Sequence, residues 1–357
     1  WNSRARSGAY EWSLSSGAGC RRFSRIPADT ESMNAVAPDS ADLISLIYNS
    51  WQKQSIEEGI VKGRQFGIRE LPCELAQLQH AYSICGVRGD LSQLHSDGSR
   101  FDCYLPLPLR RPHLGYNSVI NVWASLAKMT KTASVILTDK WTKKPSTTTR
   151  HAFLEFLRTD HCVDAKRVAF LTPIRAMNLL GDAFFPLEIA RLTSILGGTS
   201  TKTVSQLLVA AEMVMAMLWG QKQCGNDSQS IVVCGIHEAV FAEIAIQAAR
   251  KVDIRPPAFV FVGSLKSLRT HDRMSGQNPE SSIFWDDPED SIRLKVSSAR
   301  TSPLAQSSGL ARIMDCSLFS TLGKGFGLFD QSRIAMSCTK GGRCSDCKSH
   351  IIKLLCD

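Results

Sequence analysis

Between residues 101 and 262 the chain alternates short apolar runs with longer segments of helical period, and this alternation constrains the fold more than any other feature. The runs are Cys103-Tyr104-Leu105, Ala133-Ser134-Val135-Ile136-Leu137-Thr138-Asp139, Arg167-Val168-Ala169-Phe170-Leu171, Ser230-Ile231-Val232-Val233-Cys234-Gly235-Ile236, and Pro257 to Val262. Helical stretches lie between them at 116–130, 151–161, 204–219 and 239–251. Runs apolar at nearly every position suit strands buried on both faces, and intervening helices suit crossover connections. The spacing therefore predicts a doubly wound α/β fold on a parallel sheet.

At 357 residues the chain has room for two domains, or one large domain with an appendage. Residues 1–40 are rich in Ser, Gly, Ala and Arg without sustained period, so a disordered arm is expected there. Arg21, Arg22 and Arg25 could form a targeting segment, but Asp29, Glu31 and weak amphipathicity favour disorder. Met33 stands just before the first periodic segment, which opens at Ala41, and is a candidate start. Residues 41–100 read as a helical N-terminal segment, 101–270 as the α/β domain, and 271–357 as a loop followed by a helical C-terminal part. No run approaches the ~18 consecutive apolar residues of a membrane span, so a membrane protein is excluded. Lys and Arg outnumber Asp and Glu by 42 to 33, and the net charge of +9 favours a polyanion such as tRNA. The 12 cysteines are scattered through a core-sized chain with no signal-type apolar region, which points to reduced thiols and a cytoplasmic protein.

Two segments carry the chemistry. In Pro112-His113-Leu114-Gly115-Tyr116 a small residue stands at a helix start behind a strand, where backbone N–H groups suit a phosphate or an acyl ester. The other is Asp272-Arg273-Met274-Ser275-Gly276-Gln277-Asn278-Pro279-Glu280-Ser281-Ser282-Ile283-Phe284. His113-Leu114-Gly115-Tyr116 resembles the HIGH element of class I aminoacyl-tRNA synthetases. Arg273-Met274-Ser275 with Pro279 to Phe284 resembles the KMSKS loop of the eukaryotic tryptophanyl enzymes. The resemblance spans about residues 65–355: 135–139 is similar to their second strand, 231–236 to the strand before their AIDQ element, and 317–319 with 338–355 to parts of their C-terminal helical domain. It implies a class I synthetase-like Rossmann domain with a helical C-terminal part.

The departures bear on function. Tyr116 replaces the second His of HIGH, Arg273 the first Lys of KMSKS, the second Lys is lost near Gly276-Gln277, and Gly235-Ile236-His237-Glu238 replaces AIDQ. In the family those groups bind ATP and stabilise charge during adenylate formation. A chain without them should activate amino acids poorly, yet could still hold a charged tRNA end. The fungal arginine-containing cyclodipeptide synthases are similar to tryptophanyl-tRNA synthetases and carry an acidic DDxxE motif after the KMSKS-like loop. Asp286 and Asp287 match the acidic pair, and Asp290 stands in place of the Glu, one methylene shorter. The resemblance implies condensation of arginyl-tRNA with a second aminoacyl-tRNA to a cyclic dipeptide, with neither cofactor nor metal. A diverged tryptophan-tRNA ligase and a non-catalytic tRNA-binding relative are the alternatives.

Asp286, Asp287 and Asp290 are then the candidate catalytic residues, for seating a guanidinium or deprotonating the attacking amine. Without the resemblance they read as the first turn of a helix. His113, Gly115, Tyr116, Glu238, Arg273 and Ser275 are the candidate substrate-binding residues. Among other groupings, Cys344 and Cys347 have the gap of a zinc knuckle, but Cys338 and Cys356 flank them irregularly and no metal site is expected. Gly323-Lys324-Gly325-Phe326-Gly327 lacks the ending of a phosphate loop and reads as a turn. Met213, Met215, Met217 and Trp219 read as core. Ser118 and Cys103 lie near the first strand and helix, but the sequence shows no base beside either, and Cys103 reads as a buried strand residue.

Overall fold

The computed structural model of the chain describes residues 38–78, 81–94, 96–138, 147–161, 163–171, 204–224, 228–270, 272–301, 313, 316–321, 335, 338 and 343–356. The expected arm up to residue 37, with Met33, lies outside them, as do Asp139 and the glycine-rich segment 323–327.

All five apolar runs form strands of one six-stranded sheet. In chain order the strands are β1 (Ile84–Arg88), β2 (Phe101–Pro108), β3 (Thr132–Thr138), β4 (Val168–Leu171), β5 (Gln229–Gly235) and β6 (Ala258–Val262). They lie in the order β1-β6-β5-β2-β3-β4, with β1 antiparallel to β6 and every other pair parallel. β1 corrects the expectation that residues 41–100 are only helical. Helix α1 (Pro38–Phe66) occupies the first part, but the chain then contributes an edge strand. Period failed there because β1 is short and its register shifts between Ile84 and Gly86. Gly86 has φ +154°, and a Cβ on it would lie 2.6 Å from the carbonyl oxygen of Arg69.

Alternate residues of the strands feed two cores. Cys103, Leu105, Val135, Leu137, Ile231, Val233 and Val260 pack toward α2 (Asn117–Ala127) and α3 (Thr147–His161). Tyr104, Ile136, Val232, Cys234, Phe259 and Phe261 pack toward α4 (Val204–Cys224) and α5 (Ala239–Lys251). Residues 211–221 of α4 are buried at every position, so this stretch is apolar on nearly every side. Met215 and Met217 are fully buried and Met213 and Trp219 nearly so, as expected of core. A third core joins Ile47 and Trp51 of α1 to α6 (Glu289–Ser297), α7 (Ser317–Thr321) and α8 (Cys344–Cys356), through Ile292, Val296, Phe319, Ile351 and Leu355. Met274 and Ile283 are buried in the same core, which anchors the segment between them on the helical part.

The topology places the site. The chain moves outward from β2 through β3 to β4, then crosses back to β5 on the other side of β2. Strand β2 pairs with β3 as far as Pro108, but with β5 only through Tyr104. Pro106 falls where β5 offers no ladder to interrupt, which lets a central strand carry a residue without an N–H. Beyond Tyr104 the two strands part, and this reversal of strand order is where doubly wound sheets open a ligand crevice.

Candidate functional site

A cavity of about 430 Å³ opens at the carboxyl ends of β2, β5 and β6. Its lining includes His113, Gly115, Tyr116, Glu238, Arg273 and Ser275, so the structure brings all six candidate substrate-binding residues together.

His113 forms one wall. It is extended, and its Nδ1 accepts the Gly115 N–H at 3.0 Å, capping the short 3₁₀ turn Leu114–Tyr116 that leads into α2. Its ring stacks on Tyr116 with centroids 4.4 Å apart and meets the Phe284 edge at 6.0 Å. Burial, with Arg273 and Arg110 nearby, lowers its pKa to about 4. Burial also pushes the Tyr116 phenol up to about 12. At neutral pH these two rings are therefore uncharged, and the positive charge beside them is that of Arg110 and Arg273.

The roof is residues 272–285, hydrogen-bonded on both flanks. Its first flank runs back along the end of β6, with Ser267 N–H to Asp272 O and Met274 N–H to Leu265 O, each 2.7 Å. Its second flank meets the segment that follows β2, with Leu114 N–H to Ile283 O at 3.0 Å and Trp285 N–H to Pro112 O at 3.1 Å. Within the turn, the Ser282 hydroxyl donates to the Ser275 carbonyl at 2.8 Å and accepts the Ser275 N–H at 3.3 Å. Arg273 and Ser275 reach the cavity from this roof.

The third side is the 3₁₀ turn Ile236–Glu238 behind β5. Glu238 Oε2 accepts the Gly235 N–H at 2.8 Å. Burial raises its pKa from 4.5 to about 7, against the opposing pull of that hydrogen bond and of Arg273. His237 Nδ1 lies 3.2 Å from Ser264 Oγ, and His237 Nε2 lies 3.9 Å from Glu238 Oε1. Desolvation and then Arg273 lower the pKa of His237, although 41% of its side chain is still exposed at the cavity mouth. A Cβ on Gly235 would sit 2.3 Å from the His237 ring, so only glycine lets the ring fold over this turn. His237, Ser264 and Arg110 also line the cavity and were not among the candidates. A usable signal existed: His237 and Ser264 are each the second residue beyond their strand, at the end where such sheets bind ligands.

Asp286, Asp287 and Asp290 are not among the lining residues of the cavity. Asp287 is buried, accepts the Phe284 N–H at 2.8 Å, and pairs with Lys295 at 2.5 Å and with Arg111 at 3.2 Å. Arg111 also pairs with Asp286 at 2.6 Å, and its guanidinium lies 4.2 Å from the centre of the Phe284 ring. The guanidinium held by this acidic pair is the chain's own. Asp290 is exposed in the first turn of α6, where a carboxylate complements the helix N-terminus.

Cys103 is fully buried in β2, and burial raises its thiol far above the ordinary value. Ser118 lines the cavity, but its hydroxyl is buried and donates to the Gly263 carbonyl at 3.3 Å. Cys344 and Cys347 stand in the first turn of α8. Among the described residues no three His, Cys, Asp or Glu side chains are arranged to hold a metal ion, and no helix is long and apolar enough to cross a membrane.

No family model and no curated protein matches the chain. Solved structures do. The tryptophanyl-tRNA synthetase of Aeropyrum pernix K1 aligns over 85% of this chain and 92% of its own, with TM-score 0.63 and 17% identity. The Encephalitozoon cuniculi enzyme bound to tryptophan aligns over 82% and 89%, with TM-score 0.61 and 17% identity. The tyrosyl-tRNA synthetase of Aeropyrum pernix aligns over 79% and 90%, with TM-score 0.55 and 18% identity. The fold is that of the class I tRNA synthetases. The expected architecture, a Rossmann-like sheet with a helical C-terminal part, is the one observed.

Proposed function

We propose that the chain is a tRNA-dependent aminoacyltransferase that condenses arginyl-tRNA with a second aminoacyl-tRNA to a cyclo(Arg-Xaa) diketopiperazine, without ATP. The observation that carries this reading is Glu238, a carboxyl group in the crevice with a pKa of about 7. Amide formation from an ester needs an amine stripped of its proton, and a base poised near neutrality does that best. Adenylate formation attacks with the substrate's own carboxylate and needs no such base. His113 and Tyr116 offer an aromatic wall for the acyl group, with the Gly115 backbone between them. Arg273, Arg110 and the Ser275 hydroxyl are the groups available to an ester oxygen or a terminal phosphate. The net charge of +9 suits a tRNA partner, and a cytoplasmic location goes with this reading. Asp286 and Asp287 serve in this reading by fixing the roof through Arg111 and Lys295, and Asp290 by complementing the N-terminus of α6.

A tryptophan-tRNA ligase is the second reading, favoured by the extent of the likeness to solved tryptophanyl enzymes. One experiment separates the two. Purified protein is given pre-charged arginyl-tRNA and a second aminoacyl-tRNA without ATP, and products are read by mass spectrometry. Separately it is given tryptophan, ATP and labelled pyrophosphate. The proposal expects a cyclic dipeptide and no exchange. Exchange without dipeptide overturns it in favour of the ligase, and tRNA binding with neither chemistry marks a non-catalytic relative.

A further inference from the structure

We propose that Arg110 is a catalytic residue of this cavity, donating hydrogen bonds to the carbonyl oxygen of the aminoacyl ester as that oxygen gains charge. This rests on the aminoacyl-transfer reading of the same site and deepens it. Arg110 is the second residue beyond the end of β2, the strand that flanks the crevice. The chain is fixed on both sides of it: Leu109 N–H donates to Thr138 O at 2.9 Å, and Pro112 O accepts the Trp285 N–H at 3.1 Å. Between these points the two arginines part. Arg111 turns to the acidic pair Asp286 and Asp287, whereas Arg110 lines the cavity. Its Nε is buried and has no hydrogen-bond partner among the described residues. A buried donor left unpaired is costly, and an acceptor brought by the substrate relieves that cost.

Its neighbours show which wall it belongs to. After burial, Arg273 and Arg110 both lower the pKa of His113, and Arg110 opposes the upward push of burial on Tyr116. Glu238 instead feels Arg273, after burial and the Gly235 N–H. Arg110 therefore stands with the aromatic wall, and Glu238 on the side formed behind β5. An acyl carbon between them would meet its nucleophile on the Glu238 side and turn its oxygen toward Arg110. A guanidinium suits this task because it stays charged at any working pH and presents several N–H groups in one plane.

The step balances with no proton lost from Arg110. The nucleophile bonds to the acyl carbon while its proton passes to the base, and the carbonyl π pair moves onto the oxygen, where Arg110 holds it. The pair then returns toward carbon, the bond to the tRNA ribose oxygen breaks, and that oxygen leaves with a proton from the base. Ring closure repeats the sequence on the second ester, with the remaining amine as nucleophile, so Arg110 serves both.

The test uses the full chain and two arginyl analogues of adenosine that carry no phosphodiester. In one, a phosphonate monoester replaces the ester and presents a tetrahedral anion; in the other, a 3′-amide keeps a planar, neutral carbonyl. Titration calorimetry should show wild type binding the phosphonate at least about 10²-fold tighter than the amide. Arg110→Gln should weaken the phosphonate by about 10²–10³-fold and leave the amide nearly unchanged, which also shows that the variant is folded. Arg110→Lys should recover little, since an ammonium keeps the charge but not the planar fork. With charged tRNAs, Arg110→Gln should lower kcat for the dipeptide by a similar factor at little-changed KM. No preference for the phosphonate in wild type, or equal weakening of both analogues, overturns the proposal. So does a variant that binds both analogues normally yet has a shallower salt slope for tRNA, which assigns Arg110 to a phosphate. Dipeptide made by Arg110→Gln at the wild-type rate also overturns it and leaves the proposed function standing. Selective loss of the phosphonate in Arg110→Gln, when wild type makes no dipeptide, supports Arg110 and defeats the dipeptide reading instead.

Discussion

Replacing Asp287 by Asn tests the structural reading of the acidic pair directly. Asn preserves the volume and can still accept the Phe284 N–H, so the change removes little but charge. Two cations lose their partner unequally. Arg111 is 47% exposed and water replaces the carboxylate, so its share is under about 1 kcal/mol. Lys295 is only 11% exposed and faces an Asp287 side chain that is 4% exposed, so its ammonium is left buried, donating to the Ser282 carbonyl without a counterion. Breaking one side of such a pair costs about 3–5 kcal/mol. At about 1.3 °C per kcal/mol for a chain of this size, the melting temperature should fall by roughly 4–7 °C. The control is Asp286→Asn, whose ion pair is about half exposed on both sides and should cost under about 1 kcal/mol. Adding Lys295→Met to Asp287→Asn should recover part of the loss, because an apolar replacement needs no counterion. Calorimetry at pH 7 reads all four proteins. If Asp287→Asn melts within about 2 °C of wild type, or no lower than Asp286→Asn, the buried pair does not hold the roof and the reasoning is wrong.

Other outcomes follow from the cavity. The pKa of Glu238 rises from 4.5 to about 7 on folding, so its favourable contribution is complete below pH 4.5 and lost as the pH climbs to 7. Glu238→Gln should therefore melt higher than wild type at pH 8, by up to about 3 kcal/mol, and gain nothing at pH 4.5; equal melting curves at pH 8 would refute the raised pKa. As a base Glu238 works only when ionised, so dipeptide synthesis should rise with pH through about 7, and Glu238→Gln should lose about 10²–10⁴-fold in rate together with that limb. Gly235→Ala forces the His237 ring away from a Cβ at 2.3 Å, and dipeptide synthesis should slow at least about tenfold while the melting temperature moves little. Affinity for tRNA, measured by filter binding, should fall linearly on a log–log plot against salt, and a flat line would exclude phosphate contacts.

The sheet was largely legible because five of its strands are apolar on both faces, a pattern that survives without tertiary information. Strand β1 was not, since Gly86 and the shifted register erase period in an already short element. The six cavity residues could be read from local motifs that sit at strand ends and a helix start. The acidic pair could not. Asp286 and Asp287 spell the same word whether they meet a ligand or a cation of the chain, and that cation, Arg111, arrives from the end of β2 through the fold. The contact between His237 and Ser264 was equally hidden, because β5 and β6 become neighbours only when the sheet forms.

The double anchoring of the roof divides labour along a few residues. Its flanks are fastened to β2 and β6, and the buried ion pair sits behind one of them, so these positions share the fate of the core. The exposed tip from Gly276 to Glu280 shares none of that burden. Selection, or a designer, can rewrite the tip to admit a different acyl group without eroding the scaffold, whereas even a conservative change at the flanks trades selectivity against survival of the fold. Substrate preference should therefore drift fastest at the tip.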